Sequence, residues 1–344
     1  MKVVFVHFGR NLPDHLILNL KRVGLLFPHL DVLLITNESC KLPKSSLFTT
    51  FIYTPGKTWK EIEQTLSHDK SFRENFWLTS LVRLIAIDEY MSTVNSEVIH
   101  IESDVTISPD FPFEKFRDLP RNIAYPIISK KSAIASVLYL RSSIASKLLT
   151  EKIISSVRQN SYATDMQILI SFYCENPDLV QPLPVGPTYS KEIYNADIPS
   201  LLLAEMDISR SILGGIIDGA DLGQYLFGQD PRNLRGKRIL RQEINNRFLK
   251  PRSLDFLYSD KRQFIDLSSQ SRVSPVFALH IHSKNKDLFR RGTLERVLRG
   301  AVNNAKLPSS FDFLPSIYLN IIYLAVVRRV KKTLKIIVKE SNAY

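Results

Sequence analysis

Glu102-Ser103-Asp104 follows directly on the apolar run Val98–Ile101. Two acids one residue apart, at the end of a buried strand, can turn toward one divalent cation. Hard oxygen donors suit Mg2+ or Mn2+, with substrate phosphates completing the coordination; a solvated acidic turn is the plainer reading of the same residues. Far downstream the apolar run Val276–Leu279 delivers His280-Ile281-His282-Ser283-Lys284. Alternate strand residues point the same way, so His280 and His282 are candidate metal ligands and Lys284 a candidate partner for a phosphate. Arg83, on the helical segment before the acidic turn, could reach a diphosphate or serve as a surface salt-bridge partner. Asp165 begins a later helical segment; it is the first candidate for a carboxylate at a reacting centre, with N-capping as its simpler use. Asp218 is the second candidate. Asp221 and Gln224 lie beside it in residues 213–236, which hold six of the chain's twelve glycines.

The elements that must position these residues alternate in type. Val3–Phe8, Asp31–Thr36, Phe48–Tyr53 and Val98–Ile101 have the composition of buried strands. Pro13–Phe27 and Phe76–Met91 have helical spacing, the second as an amphipathic helix with Leu81, Leu84, Ile85, Asp88 and Met91 at helical intervals. Such alternation predicts an α/β fold of Rossmann-like type, a central mixed, mainly parallel sheet with helices on both faces. Ligands of such sheets sit beyond the carboxyl ends of the strands, where His7, Phe8 and Gly9 would join Glu102 and Asp104. Further on, Ile123–Pro126 and Ser136–Leu140 have strand character and Ile144–Arg158 helical character. Another helix runs to Phe172 with Thr164 or Asp165 at its N-terminus. The glycine-rich stretch has the composition of a ligand loop but the spacing of neither a P-loop nor a dinucleotide fingerprint.

Hydrophobic residues make up 44% and charged residues 23% of the 344 positions, an ordinary globular balance. Cys40 and Cys174, far apart, make neither a disulfide framework nor a cysteine metal site, which favours a reducing compartment. The start MKVVFVHFGR lacks the length and cleavage site of a signal peptide and suits a first strand. Of the net charge of +12, residues 285–344 hold most, with 12 basic against 4 acidic side chains; the preceding residues hold 34 against 30. Basicity confined to a tail argues for a polyanionic surface rather than nucleic acid. Leu314–Val327 is too short to cross a bilayer, which takes about 20 residues. Followed by RRVKKTLKIIVK, it suits an interfacial helix on anionic headgroups, or a terminal helix packed on the main domain.

The order VVFVHFG, FWLTSLVRLIAIDEYM, HIESDVTI and LHIHSKN resembles that of GT-A-fold glycosyltransferases. DGADLGQYLFGQDPRN with the later LHIHSKN also resembles glycosyltransferase-like proteins of bacterial surface-polysaccharide loci. The resemblance covers about residues 1–290, as a catalytic domain with a nucleotide-binding half (1–125) and an acceptor half (126–290), leaving 291–344 as a basic helical tail. It implies Mn2+ or Mg2+ on a nucleotide-sugar donor, UDP-linked by the resemblance alone. Glu102 and Asp104 match the family's D-x-D-type motif, with Glu in place of the first Asp, and His280 or His282 matches its late metal ligand. Lys284 matches the phosphate-contacting lysine more loosely. A glycan or lipid-linked acceptor and a cytoplasmic enzyme peripheral to the membrane complete the expectation, with Asp218, Asp221 and Gln224 near sugar hydroxyls. The rivals are a non-catalytic lipid- or nucleic-acid-binding protein and a nucleotidyl- or phosphotransferase; HFGRNLPDH is too glycine-poor to favour the latter.

Overall fold

A computed structural model describes residues 1–73, 75–187, 193–195, 198–230, 246–259, 262–267, 272–282, 284 and 289. The strands are β1 (Lys2–His7), β2 (Asp31–Thr36), β3 (Thr49–Ile52), β4 (Val98–Ile101), β5 (Val105–Ile107), β6 (Ile123–Ser129), β7 (Ser132–Ala133), β8 (Val137–Leu140), β9 (Val180–Leu183), β10 (Ile216–Ile217), β11 (Asp255–Ser259), β12 (Arg262–Leu267) and β13 (Arg272–His280). The helices are α1 (Asp14–Leu26), α2 (Lys57–Thr65), α3 (Phe76–Thr93), α4 (Ser143–Gln159), α5 (Asp165–Glu175), α6 (Ser200–Leu213) and α7 (Asp221–Phe227). The basic segment 291–344, with its expected interfacial helix, lies outside the described residues. Among the described residues no helix is long and apolar enough to cross a membrane. Cys40 and Cys174 are free thiols.

The larger sheet runs β3-β2-β1-β4-β8-β6-β7, with β9 beside β6. Its pairings leave only β8 and β7 running against the other strands, so the sheet is mixed and mainly parallel. Both faces are covered, which is why its strands are nearly continuous in apolar residues. Alternation along β1 sends Val4 into one hydrophobic cluster and Val3 and Phe5 into the other. The first cluster holds α3, α4 and α5; the second holds α1 and the turn around Phe113 and Phe116.

Helix α3 differs from the amphipathic expectation. Leu78, Ser80, Leu81, Val82, Leu84, Ile85, Ala86, Ile87, Tyr90 and Met91 are all buried, so it is covered on nearly every side. A helix with apolar residues all round belongs in a core.

A second sheet, β10-β13-β12-β11 with β5 beside β13, sets the site. β5 begins right after the acidic turn and pairs antiparallel with the end of β13, His280 opposite Val105. The Ile281 N–H donates to the Asp104 carbonyl at 2.7 Å. Residues 176 positions apart thus become neighbours through backbone pairing.

Two described glycines of the 213–236 stretch have packing or turn roles. Gly214 ends α6 at a positive φ of 89°. A Cβ on Gly223 would sit 1.8 Å from the His280 carbonyl oxygen and 2.6 Å from its carbon. Gly223→Ala is therefore expected to force α7 away from β13 and to lower stability by roughly 1–3 kcal/mol or more. An unchanged thermal midpoint would contradict this packing.

Candidate functional site

A cleft of about 700 Å³ opens at the carboxyl ends of β1 and β4, where such sheets bind ligands. It is lined by His7, Phe8, Arg83, Glu102, Asp104, Asp165, His280, His282 and Lys284 among others. One ligand atom from each of Glu102, Asp104 and His280 lies within 4.8 Å of the others. His280 Nε2 is 3.4 Å from Asp104 Oδ2 and 3.7 Å from Glu102 Oε2. Two carboxylates and an imidazole fit a divalent cation of the Mg2+ or Mn2+ type. His280 Nδ1 is buried with no hydrogen-bond partner, so no protein acceptor fixes the ring's tautomer.

Charge is balanced pair by pair. Arg83 lies between two acids, its Nη1 on Glu102 and its Nη2 2.9 Å from Asp165 Oδ2. It is largely buried rather than a surface salt bridge, and it lines the cleft while holding both acids. Lys284 Nζ reaches Asp104 Oδ2 at 3.2 Å. Burial opposes the charge of Asp104, but Lys284 and then His280 hold its carboxyl well below the usual range. Burial also opposes ionisation of Glu102, yet Arg83 and His280 keep it below its ordinary value. For His280, burial is outweighed by the charge and hydrogen bond of Asp104 and the charge of Glu102, raising it to about 9.

Asp165 is not the cap of its helix. Thr164 takes that position in a capping box with Gln167, leaving the Asp165 carboxylate facing Arg83 and the cleft. Burial raises its pKa, against the pull of Arg83.

His282 departs from the expected ligand pair. The strand ends at His280, and His282 lies on the following turn, where its Nδ1 accepts the Asp230 N–H at 3.2 Å. It lines the cleft outside the three-residue cluster, and burial and the His280 charge lower it to about 4. Gly9 is also displaced from expectation: its N–H donates to Asn37 Oδ1 at 2.8 Å, and it does not line the cleft. Phe8 lines the cleft while packing edge-on against Trp59.

Asp218 corrects the expectation of a second catalytic carboxylate. It is fully buried and accepts four backbone N–H groups, from Ala220, Leu222, Gly223 and His280. It ties α7 to β13 and is absent from the cleft lining. Asp221 and Gln224 are buried too and do not line the cleft.

No protein-family model matches the chain, and no curated protein does. Among solved structures it is similar to apo mouse xyloside xylosyltransferase 1, at 12% identity over 62% of this chain and 93% of that one, with a TM-score of 0.35. It is similar to the PaToxG glycosyltransferase at 9% identity over 62% and 78%, TM-score 0.36. A third is the apo-form glycosyltransferase GlyE of Streptococcus pneumoniae TIGR4, at 12% identity and TM-score 0.34; the match covers 56% of this chain and 46% of that one. Likenesses so distant carry no weight for the chemistry, which rests on the cleft itself.

Several cleft residues have no place in the sequence reading. His100 stands two positions before Glu102 on the same side of β4, a signal the alternation of VIHI contains. Its Nδ1–H donates to the Val4 carbonyl at 3.0 Å, and burial with the nearby Arg83 charge lowers it to about 4, so it is neutral. Phe72 and Arg73, with Phe76 and Trp77 from the start of α3, form another wall that the sequence did not assign to a site.

Asp221 supplies a pH test. Burial, reinforced by Asp218 and opposed by Arg247, pushes it up to about 7. The folded chain then keeps a proton that the unfolded chain loses near pH 4, so stability falls as pH rises through that window and levels off above about 7. Asp221→Asn is expected to gain a few degrees over the parent at pH 8 and much less at pH 5. A gain that shrinks with rising pH would contradict the burial assigned to this group.

Proposed function

We propose that this chain is a metal-dependent glycosyltransferase, moving a sugar from a nucleotide-sugar donor to a polysaccharide or lipid-linked glycan acceptor. The observation that supports it is the convergence of Glu102, Asp104 and His280 in a cleft that also presents Lys284 and Asp165. UDP as the base and Mn2+ or Mg2+ as the ion come from the family resemblance. A cytoplasmic location and a basic tail resting on anionic lipid belong to the same reading and draw on the sequence alone.

Glu102, Asp104 and His280 would hold the cation. When bound, it supplies positive charge to a leaving diphosphate. His280 must give up its proton to bind, which removes the cation now paired with Asp104. Lys284, on the same carboxylate, is the group able to swing to a phosphate oxygen. Arg83 favours the charged form of Glu102 and, against burial, of Asp165, and fixes both carboxylates in direction. Asp165 is the carboxylate for the reacting centre; in an inverting reaction it would accept the proton of the acceptor hydroxyl. In a metal-assisted nucleotidyl or phosphoryl transfer the same acids would serve, but the N-terminal loop HFGRNLPDH is too glycine-poor to favour it.

A thermal-shift panel of nucleotide sugars, with and without Mn2+, tests donor and ion together. Stabilisation by one nucleotide class only when Mn2+ is present is the expected result. With the active donor, Asp104→Ala should reduce transfer roughly 100-fold or more and abolish its Mn2+ dependence. Unchanged transfer and unchanged metal dependence in that variant would overturn the assignment.

A further inference from the structure

A row of aromatic rings leads from the surface into the cleft. Tyr162 is 60% exposed and meets His68 edge-on at 5.5 Å. His68 stacks on Trp77 at 4.9 Å, Trp77 on Phe72 at 5.8 Å, and Phe72 meets Phe76 edge-on at 6.1 Å. Phe72, Phe76 and Trp77 line the cleft together with Asp165. Trp77 packs against the hydrophobic core, but Phe72 and Phe76, half-buried, belong to neither core cluster. Large rings that the core does not use, facing a polar cleft, mark a surface for a ligand.

The turn that carries them is held in place. Arg73 and Asn75 both have positive φ, 49° and 65°, a conformation non-glycine residues rarely adopt. The Arg73 guanidinium lies over the Phe76 ring at 4.5 Å and pairs with Asp230 at 2.9 Å, both side chains nearly buried. Asp230 in turn donates its N–H to His282. The aromatic turn is thus clamped to the segment that follows the metal-ligand strand.

We infer that this row is the acceptor subsite and that the acceptor is an oligosaccharide chain of at least two rings. The inference rests on the glycosyl-transfer reading above. A pyranose offers one face of C–H groups, which pack on the electron-rich face of an aromatic ring, while its hydroxyls point outward to polar neighbours. Rings interleaved with His68, Arg73, Asn75 and the Tyr162 hydroxyl match that mixed character. An isoprenoid chain would call for an unbroken apolar groove instead. The row extends through three successive ring contacts from Tyr162 to Phe72, more than a single sugar covers, and its inner end shares the cleft with Asp165, where an acceptor hydroxyl is needed.

The test uses the full chain with UDP and Mn2+ on an array of mono-, di- and tetrasaccharides of hexoses and N-acetylhexosamines, with polyisoprenyl phosphate micelles as a separate arm. Preference for a tetrasaccharide over its monosaccharide is expected. Phe72→Leu and Tyr162→Ala should each weaken that binding about three- to tenfold, and Phe72→Tyr should bind as the parent does. Thermal stabilisation by UDP with Mn2+ should survive in all three variants. Equal binding of all lengths, no effect of Phe72→Leu, or loss confined to the micelle arm would each overturn the inference. Length-dependent glycan binding without any UDP–Mn2+ stabilisation would support the row while overturning the transferase reading.

Discussion

Three carboxylates, Glu102, Asp104 and Asp165, lie close together in a partly closed cleft, and the rest of the site follows from meeting their charge. Unpaired, such groups would take up protons or cost several kcal/mol each. Arg83, His280 and Lys284 answer them as a network, Arg83 bridging Glu102 and Asp165 and the other two meeting on Asp104. The arrangement is poised rather than merely stable. Under the proposed function a bound cation would take over the charge that protonated His280 gives to Asp104, and a phosphate would compete with Asp104 for Lys284. His100 and His282, both neutral, add no further positive charge against the site.

The backbone brings these charges together without relying on long side chains. Asp104 directly precedes β5 and His280 closes β13, and the antiparallel register of the two strands makes them neighbours. Behind β13, Gly223 lets α7 approach to van der Waals distance, and Asp218 spends all its hydrogen-bonding capacity joining the two. Asp218 therefore matters to the site by positioning the peptide that carries His280. On the other side α3, sunk in the core, presents Arg83 from a rigid support.

Much of this frame was legible in the residues. VIHI and DVLLIT occupy the strands expected of them because strands covered on both faces must be apolar throughout. The acidic turn and His280 were recognisable by type and position at strand ends. Other features left little trace. Helix α2 is nine residues long and buries only Ile62, an apolar face too short to stand out in the sequence. The apolar run Val276–Leu279 marks only the end of β13, which begins at Arg272 and runs through Pro275. The glycines of 213–236 were read as ligand-binding because composition does not distinguish a backbone that approaches a ligand from one that approaches another strand. Asp165 and Thr164 could not be separated as caps until the capping box was seen, and the Phe72–Trp77 wall depends on a turn no local pattern announces.

The central claim is that Glu102, Asp104 and His280 share one cation, and pulsed electron paramagnetic resonance of Mn2+ bound to protein carrying 15N-labelled histidine addresses it directly. A hyperfine coupling to one histidine nitrogen is expected, absent in His280→Ala and retained in His282→Ala. No nitrogen coupling at all, or a coupling that survives His280→Ala, would contradict the shared site.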